Sequence, residues 1–392
     1  MGWETNSVEN QRLRLVLEYL QKKETMTNLC LYYNVSRKTG YKWVERYKAF
    51  GVDGLADESR APHAPHILFE QQQINQAIDL KLKYRTWGPK KIRSKLLEMY
   101  PEWEWPSQTR LYEIFKENHL VNKRRFRSRV HATAPLEGVF QPNDTWAVDF
   151  KGWFLTGDGQ KCEPLTLTDC ASRYLLRCVH LDKHPVELVW PVFDKAFKQY
   201  GLPLRVRSDN GPPFGSVGIG RLTRLSINLI KAGVTPEWID PGHPEQNGRH
   251  ERMHLTLKQD TASPPKETLK LQIQEFDRFD QEYNFERPHE ALNMKTPASC
   301  YQRSSRRWSG ILKSPEYFTD EIVPRKVSSR GCISILDINY RLSEILTGEY
   351  VGIKENEGGG NRVHEIYYGP VYLGKAANGE FHTPKITKRR PR

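Results

Sequence analysis

The sequence predicts a multidomain chain of 392 residues that is α-helical over its first third, α/β in its middle and β-rich near its end. Three observations carry this. Up to about residue 121, apolar side chains recur every three to four positions. From Pro142, short alternating runs are interleaved with longer helical stripes, and beyond Gly331 β-favouring runs are separated by Gly and Asn turns. The formal net charge is +13, with 60 Lys and Arg against 47 Asp and Glu, which is too basic for a typical metabolic enzyme. Such an excess implies a polyanion partner, because lysine and arginine neutralise phosphates and release counterions.

In the first helical part, Leu13, Val16, Leu17 and Leu20 form a stripe along 8–23, 27–33 is a second short helix, and Asn34-Val35 is a turn. Ser36 is placed to cap a third helix to about Ala49, with Trp43, Val44 and Tyr47 inside and Arg37, Lys38, Tyr41, Lys42 and Arg46 outside. Helix, short helix, turn and basic helix is the helix-turn-helix order, in which the last helix enters the major groove of DNA. A small bundle with a solvated basic face is the competing reading. Residues 51–65, rich in Gly, Pro and His, read as a linker that ends a first domain over 1–60. Ile74, Ala77, Ile78 and Leu82 mark a further helix, Pro89 opens another, and Ser107 a third. These give a second helical domain over 66–121, DNA-binding or a plain spacer. Lys123, Arg124, Arg125, Arg127 and Arg129 then crowd a basic linker over 122–140, with no acid between Asn122 and His131; a solvated tether or a phosphate contact would both suit it.

The central part, 141–303, begins with strands at 146–155, 163–168 and 174–181, the first two joined by a Gly157-Asp158-Gly159 hairpin turn. Val189, Val192, Phe193 and Phe197 mark a helix over 185–200, and 204–207 is the next strand. Three antiparallel strands, a helix and a strand ending in an acid is the RNase H-like order. Residues 304–307 read as a linker, 330–384 as a small SH3-like β-barrel, and 385–392, with Lys388, Arg389, Arg390 and Arg392, as a basic tail.

Three carboxylates stand out. Asp149 interrupts the apolar run of the first strand, and Asp209 ends the 204–207 strand before the turn Asn210-Gly211-Pro212. The third follows the breakers Pro241, Gly242 and Pro244, on a helix where Glu251, His254, Leu255 and Lys258 fall at i, i+3, i+4 and i+7. A carboxylate and a lysine on one helix face, with two strand-end acids, suit divalent metals beside a phosphate. Asp158 reads as a turn residue and Asp169 as structural. His243, His250 and His254 lack a second ligand group at zinc spacing, so they read as DNA-facing or packing residues.

Trp146-x-x-Asp149-Phe150, Ser208-Asp209-Asn210-Gly211 and Pro244-x-Gln246-Asn247-Gly248-x-x-Glu251 resemble the three signatures of DDE transposases of bacterial insertion sequences, relatives of retroviral integrases. Tyr283-Asn284-x-x-Arg287-Pro288-His289-x-Ala291-Leu292 resembles the end of that catalytic domain. The resemblance implies that Asp149, Asp209 and Glu251 hold two Mg²⁺ ions, with Mn²⁺ as a substitute. It further implies an enzyme that binds transposon ends, cuts DNA by hydrolysis and joins the freed 3′-hydroxyl to target DNA. Asn247 and Lys258 would touch that DNA, and holding two ends implies a homo-oligomer on double-stranded DNA. A count of thirty-five residues from Asp209, the family's usual gap, lands on Glu245. Glu251 is the choice here, because the family's Glu lies three residues after Asn-Gly, and the six additional residues fit a Gly- and Ser-containing insertion at 215–224.

The six cysteines include no C-x-x-C pair, which argues against a disulfide framework and a cysteine zinc site. No signal peptide and no stretch of roughly 20 apolar residues is visible, so a soluble, cytoplasmic, nucleoid-associated protein without a membrane partner is expected. A DNA-binding regulator, or a nuclease of the same fold that does not join strands, are the alternatives.

Overall fold

The computed structural model describes residues 7–58, 69–121, 138–317, 321–358 and 361–384, with Pro244, 356–358 and 361–362 described by their backbone alone. The basic run Lys123, Arg124, Arg125, Arg127 and Arg129 and the tail over 385–392 lie outside the described residues. The chain divides into two compact units, 1–68 and 69–392.

In the first unit, α1 (Val8–Leu20), α2 (Met26–Tyr32) and α3 (Arg37–Phe50) each start at a hydroxyl cap: Ser7, Thr25 and Ser36 accept from the backbone N–H three residues on. Leu15, Val16, Met26, Leu29, Trp43, Val44 and Leu55 form the core. Gly40 lets α3 close onto α2, since a Cβ there would lie 2.5 Å from the Met26 sulfur. Leu55 corrects the expected linker. The segment Gly51–Leu55 is a 3-10 turn, and Leu55 is buried under the helices.

The second unit opens with α4 (Gln71–Lys83), α5 (Pro89–Met99) and α6 (Gln108–Glu117), packed around Ala77, Trp87, Ile92, Leu96, Leu111 and Phe115. Trp87 has no exposed surface, stacks on Tyr84 at 3.9 Å, and donates its Nε1–H to Glu282 at 3.1 Å. It thereby ties these helices to the α/β core.

The core holds β1 (Thr145–Phe150), β2 (Phe154–Leu155), β3 (Lys161–Cys162), β4 (Pro164–Asp169), β5 (Leu175–His180), α7 (Val186–Tyr200), β6 (Arg205–Ser208), α8 (Arg224–Lys231), β7 (Thr235–Trp238), α9 (Gly248–Thr261), α10 (Leu269–Gln281) and α11 (Pro297–Cys300). The sheet runs β5-β4-β1-β6-β7, antiparallel across β5, β4 and β1 and parallel across β1, β6 and β7. This is an RNase H-like α/β core. Trp146, Val148, Leu165 and Leu167 face α7 and α8, while Leu175, Met253, Leu257 and Phe276 pack α9 and α10 on the other side. Two expectations are corrected. The strand expected over 146–155 stops at Phe150, because Gly152 at φ +80° turns the chain into the separate β2–β3 hairpin. The linker expected at 304–307 is instead held to the core: Ser304 N–H donates to Tyr200 O at 2.9 Å, and Trp308 just beyond it donates to Asp194 at 2.8 Å.

A small β-barrel follows, made of β8 (Ile322–Lys326), β9 (Cys332–Ile335), β10 (Ile338–Arg341), β11 (Tyr350–Gly358), β12 (Asn361–Tyr368), β13 (Val371–Ala377) and β14 (Glu380–His382). Five strands form an antiparallel sheet in the order β14-β13-β12-β11-β8, and the β9–β10 hairpin touches both its edges. The first strand precedes the expected start at 330, because Val323 pairs with Ile353 of β11. α8 joins the two parts. Its Leu225 and Leu229 enter the α/β core, and its Ile227 and Ile230 enter the barrel's core.

Candidate active site

Because β1 and β6 are parallel with Ala147 opposite Arg207, extending the register by two residues brings Asp149 beside Asp209. Asp149 stands on the β1 face opposite Trp146 and Val148, towards α9. Asp209 follows the last residue of β6, where its Oδ1 accepts from Gly211 N–H at 3.2 Å. Glu251 lies exposed in the first turn of α9. Burial pushes the Asp149 carboxyl up to about 7, and the charges of Asp209 and then Glu251 add to that rise. Burial raises Asp209 as well. Thus two strands and a helix bring Asp209 and Glu251 within electrostatic reach of Asp149.

Lys151 was not anticipated as a site residue. Burial first and the neighbouring Lys258 second lower its pKa, while Asp149 opposes the shift. Lys151 therefore stands beside Asp149 with Lys258 next to it, and the only signal in the sequence was a lysine two residues past Asp149. Thr166 and the two histidines of α9 were also missed as a unit. The Thr166 hydroxyl lies 2.7 Å from His250 Nε2 and 2.6 Å from His254 Nε2, and Thr168 lies 2.7 Å from His250 Nδ1. With one proton, Thr166 can donate to one ring while it accepts from the other. Burial takes His250 down to about 3 and holds His254 well below the usual histidine range, so both rings are neutral. The 3.8 Å approach of His254 Nδ1 to Asp149 is consequently a neutral contact rather than an ion pair. His254 does not share the outer face with Glu251: His250, His254, Leu257 and Thr261 point inward, while Glu251, Leu255 and Lys258 point to solvent.

Glu245 accepts from or pairs with His243 at 2.7 Å and lines a different cavity, with Lys91 and Arg249; it is not among the groups that shift Asp149. Asn247, expected at the DNA, is buried in a recess with Cys170 and Arg173. Asp169 is structural: Asn143 N–H donates to its Oδ2, and Ser172 N–H and Oγ–H donate to its Oδ1. Asp158 accepts from Thr156 and Gln160 within the hairpin turn. In the first unit Arg37, Lys38, Tyr41 and Lys42 are exposed along α3. Arg46 differs, since it turns back to bond Ala56 O at 3.0 Å and pair with Glu58 at 3.1 Å.

Among the described residues, no three His, Cys, Asp or Glu side chains already stand as a metal-holding group. The donor set nevertheless fits a hard divalent cation: it is all carboxylate oxygen, and the burial that raises Asp149, with the added repulsion of Asp209 and Glu251, is a cost that such a charge relieves. No described helix is long and apolar enough to cross a membrane.

Two integrase core domain families match residues 140–244 and 232–297. A helix-turn-helix domain matches 11–63 and a homeodomain-like domain 39–115. An uncharacterized 31.7 kDa protein of insertion element IS407 from Burkholderia multivorans is 26% identical over 226 residues, covering 56% of this chain and 77% of its own. The chain thus carries an integrase core domain and is similar to proteins of bacterial insertion elements. An uncharacterized 39.2 kDa protein of insertion element IS476 from Xanthomonas euvesicatoria is 26% identical over 242 residues, which are 60% of this chain and 66% of that relative. Among solved structures, the HTLV-2 integrase catalytic core domain in complex with magnesium is similar at 17% identity and a TM-score of 0.33, covering 41% of this chain and 98% of that one. A simian T-cell lymphotropic virus intasome in complex with PP2A regulatory subunit B56 gamma gives 14%, 0.36, 75% and 97%.

Proposed function

We propose that Asp149, Asp209 and Glu251 are the catalytic carboxylates of a transposase that binds its element's ends, cuts them by metal-dependent hydrolysis and joins the 3′-hydroxyl to target DNA. The observation that carries this is the Asp149 carboxyl, lifted to about 7 by burial together with Asp209 and Glu251. Glu251, rather than Glu245, takes the third position because Glu245 faces His243 and the other cavity. The three carboxylates would hold two Mg²⁺ ions, or Mn²⁺ in their place. When bound, they supply Lewis-acid charge stabilisation at a phosphoryl group and activate the attacking oxygen.

The chain's own residues do the remaining work. Lys151 and Lys258 neutralise the phosphate beside the reacting bond, and the neutral His254 with Thr166 holds α9 against β4 so that Glu251 faces Asp149. The exposed Arg37, Lys38, Tyr41 and Lys42 of α3 read the DNA, with 1–60 and 66–121 as the DNA-binding domains, 122–140 as their basic tether, 141–303 as the catalytic domain, and 330–384 with 385–392 as a further DNA contact. Two ends and one target require a homo-oligomer on the DNA.

The test is strand joining with labelled duplex from the flanks of the encoding gene, in Mg²⁺ or Mn²⁺. Wild type and Glu245→Gln should give joined product, while Asp209→Asn and Glu251→Gln should lose at least about a hundredfold in rate. Activity that survives Glu251→Gln but not Glu245→Gln would move the third carboxylate. Cutting without joining would make the protein a nuclease.

A further inference from the structure

The motif Tyr283-Asn284-x-x-Arg287-Pro288-His289 has no part in the carboxylate site. Its Asn284 is structural, accepting from Leu175 N–H at 2.8 Å and donating to Leu175 O at 2.9 Å. Tyr283, Arg287 and His289 instead line a cavity of about 600 Å³ between α5 and α9. Lys91 enters it from α5, Arg173 from the turn after β4, and Arg249 and Arg252 from α9. On α9, Arg249, Arg252, Met253 and Thr256 make a third face at i, i+3, i+4 and i+7, next to the face that carries Glu251.

Five permanent or potential cations thus meet two lining carboxylates, Glu245 and Glu290. Those acids have other contacts, Glu245 with His243 at 2.7 Å and Glu290 with Lys90 at 3.2 Å. Among the described residues, Arg287 is ion-paired with Asp260 at 3.0 Å, whereas Lys91, Arg173, Arg249 and Arg252 make no ion pair. His289 Nε2 is buried there without a hydrogen-bond partner among them. Lys91 and Arg173 are half-buried, and such cations, repelled by their neighbours, cost free energy unless an anion joins them. Lys91 records that cost: burial first, then Arg287, takes it down to about 7.

We propose that this cavity is a phosphate subsite that takes a backbone phosphodiester of duplex DNA, an anchor beside the helix that carries Glu251. The cavity is far larger than one phosphate ion needs, and the exposed Arg249 and Arg252 at its mouth suit a polymer passing across α9. This assignment rests on the DNA-processing reading of the carboxylate site.

Competitive labelling of Lys91 with acetic anhydride at pH 7, read by peptide mass spectrometry on the full chain, tests it directly. A seated phosphodiester that raises Lys91 by one pKa unit cuts its free amine about fivefold. A 20-base-pair duplex should give that protection, and inorganic phosphate at equal phosphate concentration should not. In parallel, Arg252→Gln should weaken duplex binding about tenfold and reduce the slope of log affinity against log salt by about one. The exposed control Lys195→Gln on α7 should change neither. Unprotected Lys91 in a duplex-bound protein, an unchanged slope in Arg252→Gln, or a wild type that binds no duplex would each overturn the proposal. Equal protection by inorganic phosphate would also overturn it, in favour of a free-anion site. Asp209→Asn should still show protection of Lys91, so failed joining with protection retained removes only the catalytic reading, and joining without protection removes only this one.

Discussion

Replacing Asp149 by Asn should stabilise the metal-free chain, and the gain should grow with pH. The Asp149 carboxyl moves from 3.8 to about 7 through burial, with Asp209 and Glu251 adding to the shift. Because the folded pKa lies above the unfolded one, its contribution to stability is fully present below about 3.8 and lost as pH rises through 7. Three units at about 1.4 kcal/mol each give a ceiling of about 4 kcal/mol. About 2–3 kcal/mol of that falls between pH 5 and pH 8, since the loss has already begun by pH 5. The side chain is a quarter exposed, so the lower figure is the better expectation. Thermal unfolding in EDTA at pH 5, 6, 7 and 8 reads this out, at about 2–4 °C per kcal/mol for a unit of this size. The advantage of Asp149→Asn should widen by about 5–10 °C across that range. Added Mg²⁺ should then raise the wild-type midpoint much more than that of the variant. A difference that stays flat from pH 5 to pH 8 would refute the crowded-carboxylate argument, whatever the variant does to activity.

Two other substitutions probe the supports of the site. Thr166→Val keeps the shape of the side chain but leaves His250 Nε2 and His254 Nε2 without their partner, at about 1–3 kcal/mol per orphaned group. Chemical denaturation should show that loss, Thr166→Ser should recover most of it, and an unchanged midpoint in the valine variant would remove the network from the account. Trp87→Ala empties a site with no exposed surface and should cost about 3–5 kcal/mol. Hydrogen exchange should then quicken through α4, α5 and α6 while β11 and β12 of the barrel keep their protection. Uniform quickening in both regions would contradict a local role for Trp87.

What the sequence made legible follows local rules. Ser36 before a stripe of Trp43, Val44 and Tyr47 declares a capped helix, and alternation in Trp146, Val148 and Phe150 declares a strand with one face in the core. The misreadings occur where tertiary contacts override those rules. Leu55 sits in a Gly-containing stretch that looks like linker, yet three helices close over it. Arg46 looks like one more exposed base on α3 until Ala56 O and Glu58, which follow the helix in sequence but return to its flank, come within reach. Asn247 and His254 carry polar groups at positions that helix geometry turns towards β4, and no local pattern distinguishes them from Glu251 on the outer face. Lys91 and Arg173 lie far from Arg252 in sequence, so their meeting in one cavity is a property of topology alone.

The ambiguity over the third carboxylate has the same origin. Counting from Asp209 favours Glu245 because the count assumes a fixed path from β6 to α9, and here that path serves a second purpose. Ile219 and Leu222 in the added stretch bury their side chains with the barrel's Val351, Ile366 and Leu373. Gly220, at φ +56°, lies against the barrel so closely that a Cβ would stand 2.8 Å from Leu373. Thr223 then caps α8, which carries Ile227 and Ile230 into the same apolar contact. The additional residues therefore lengthen the count without displacing α9, whose position is set independently by His250 and His254 against Thr166. Spacing measured along the chain registers the barrel's docking segment, whereas the charge felt at Asp149 registers only what stands near it, and on that ground Glu251 rather than Glu245 is the residue proposed.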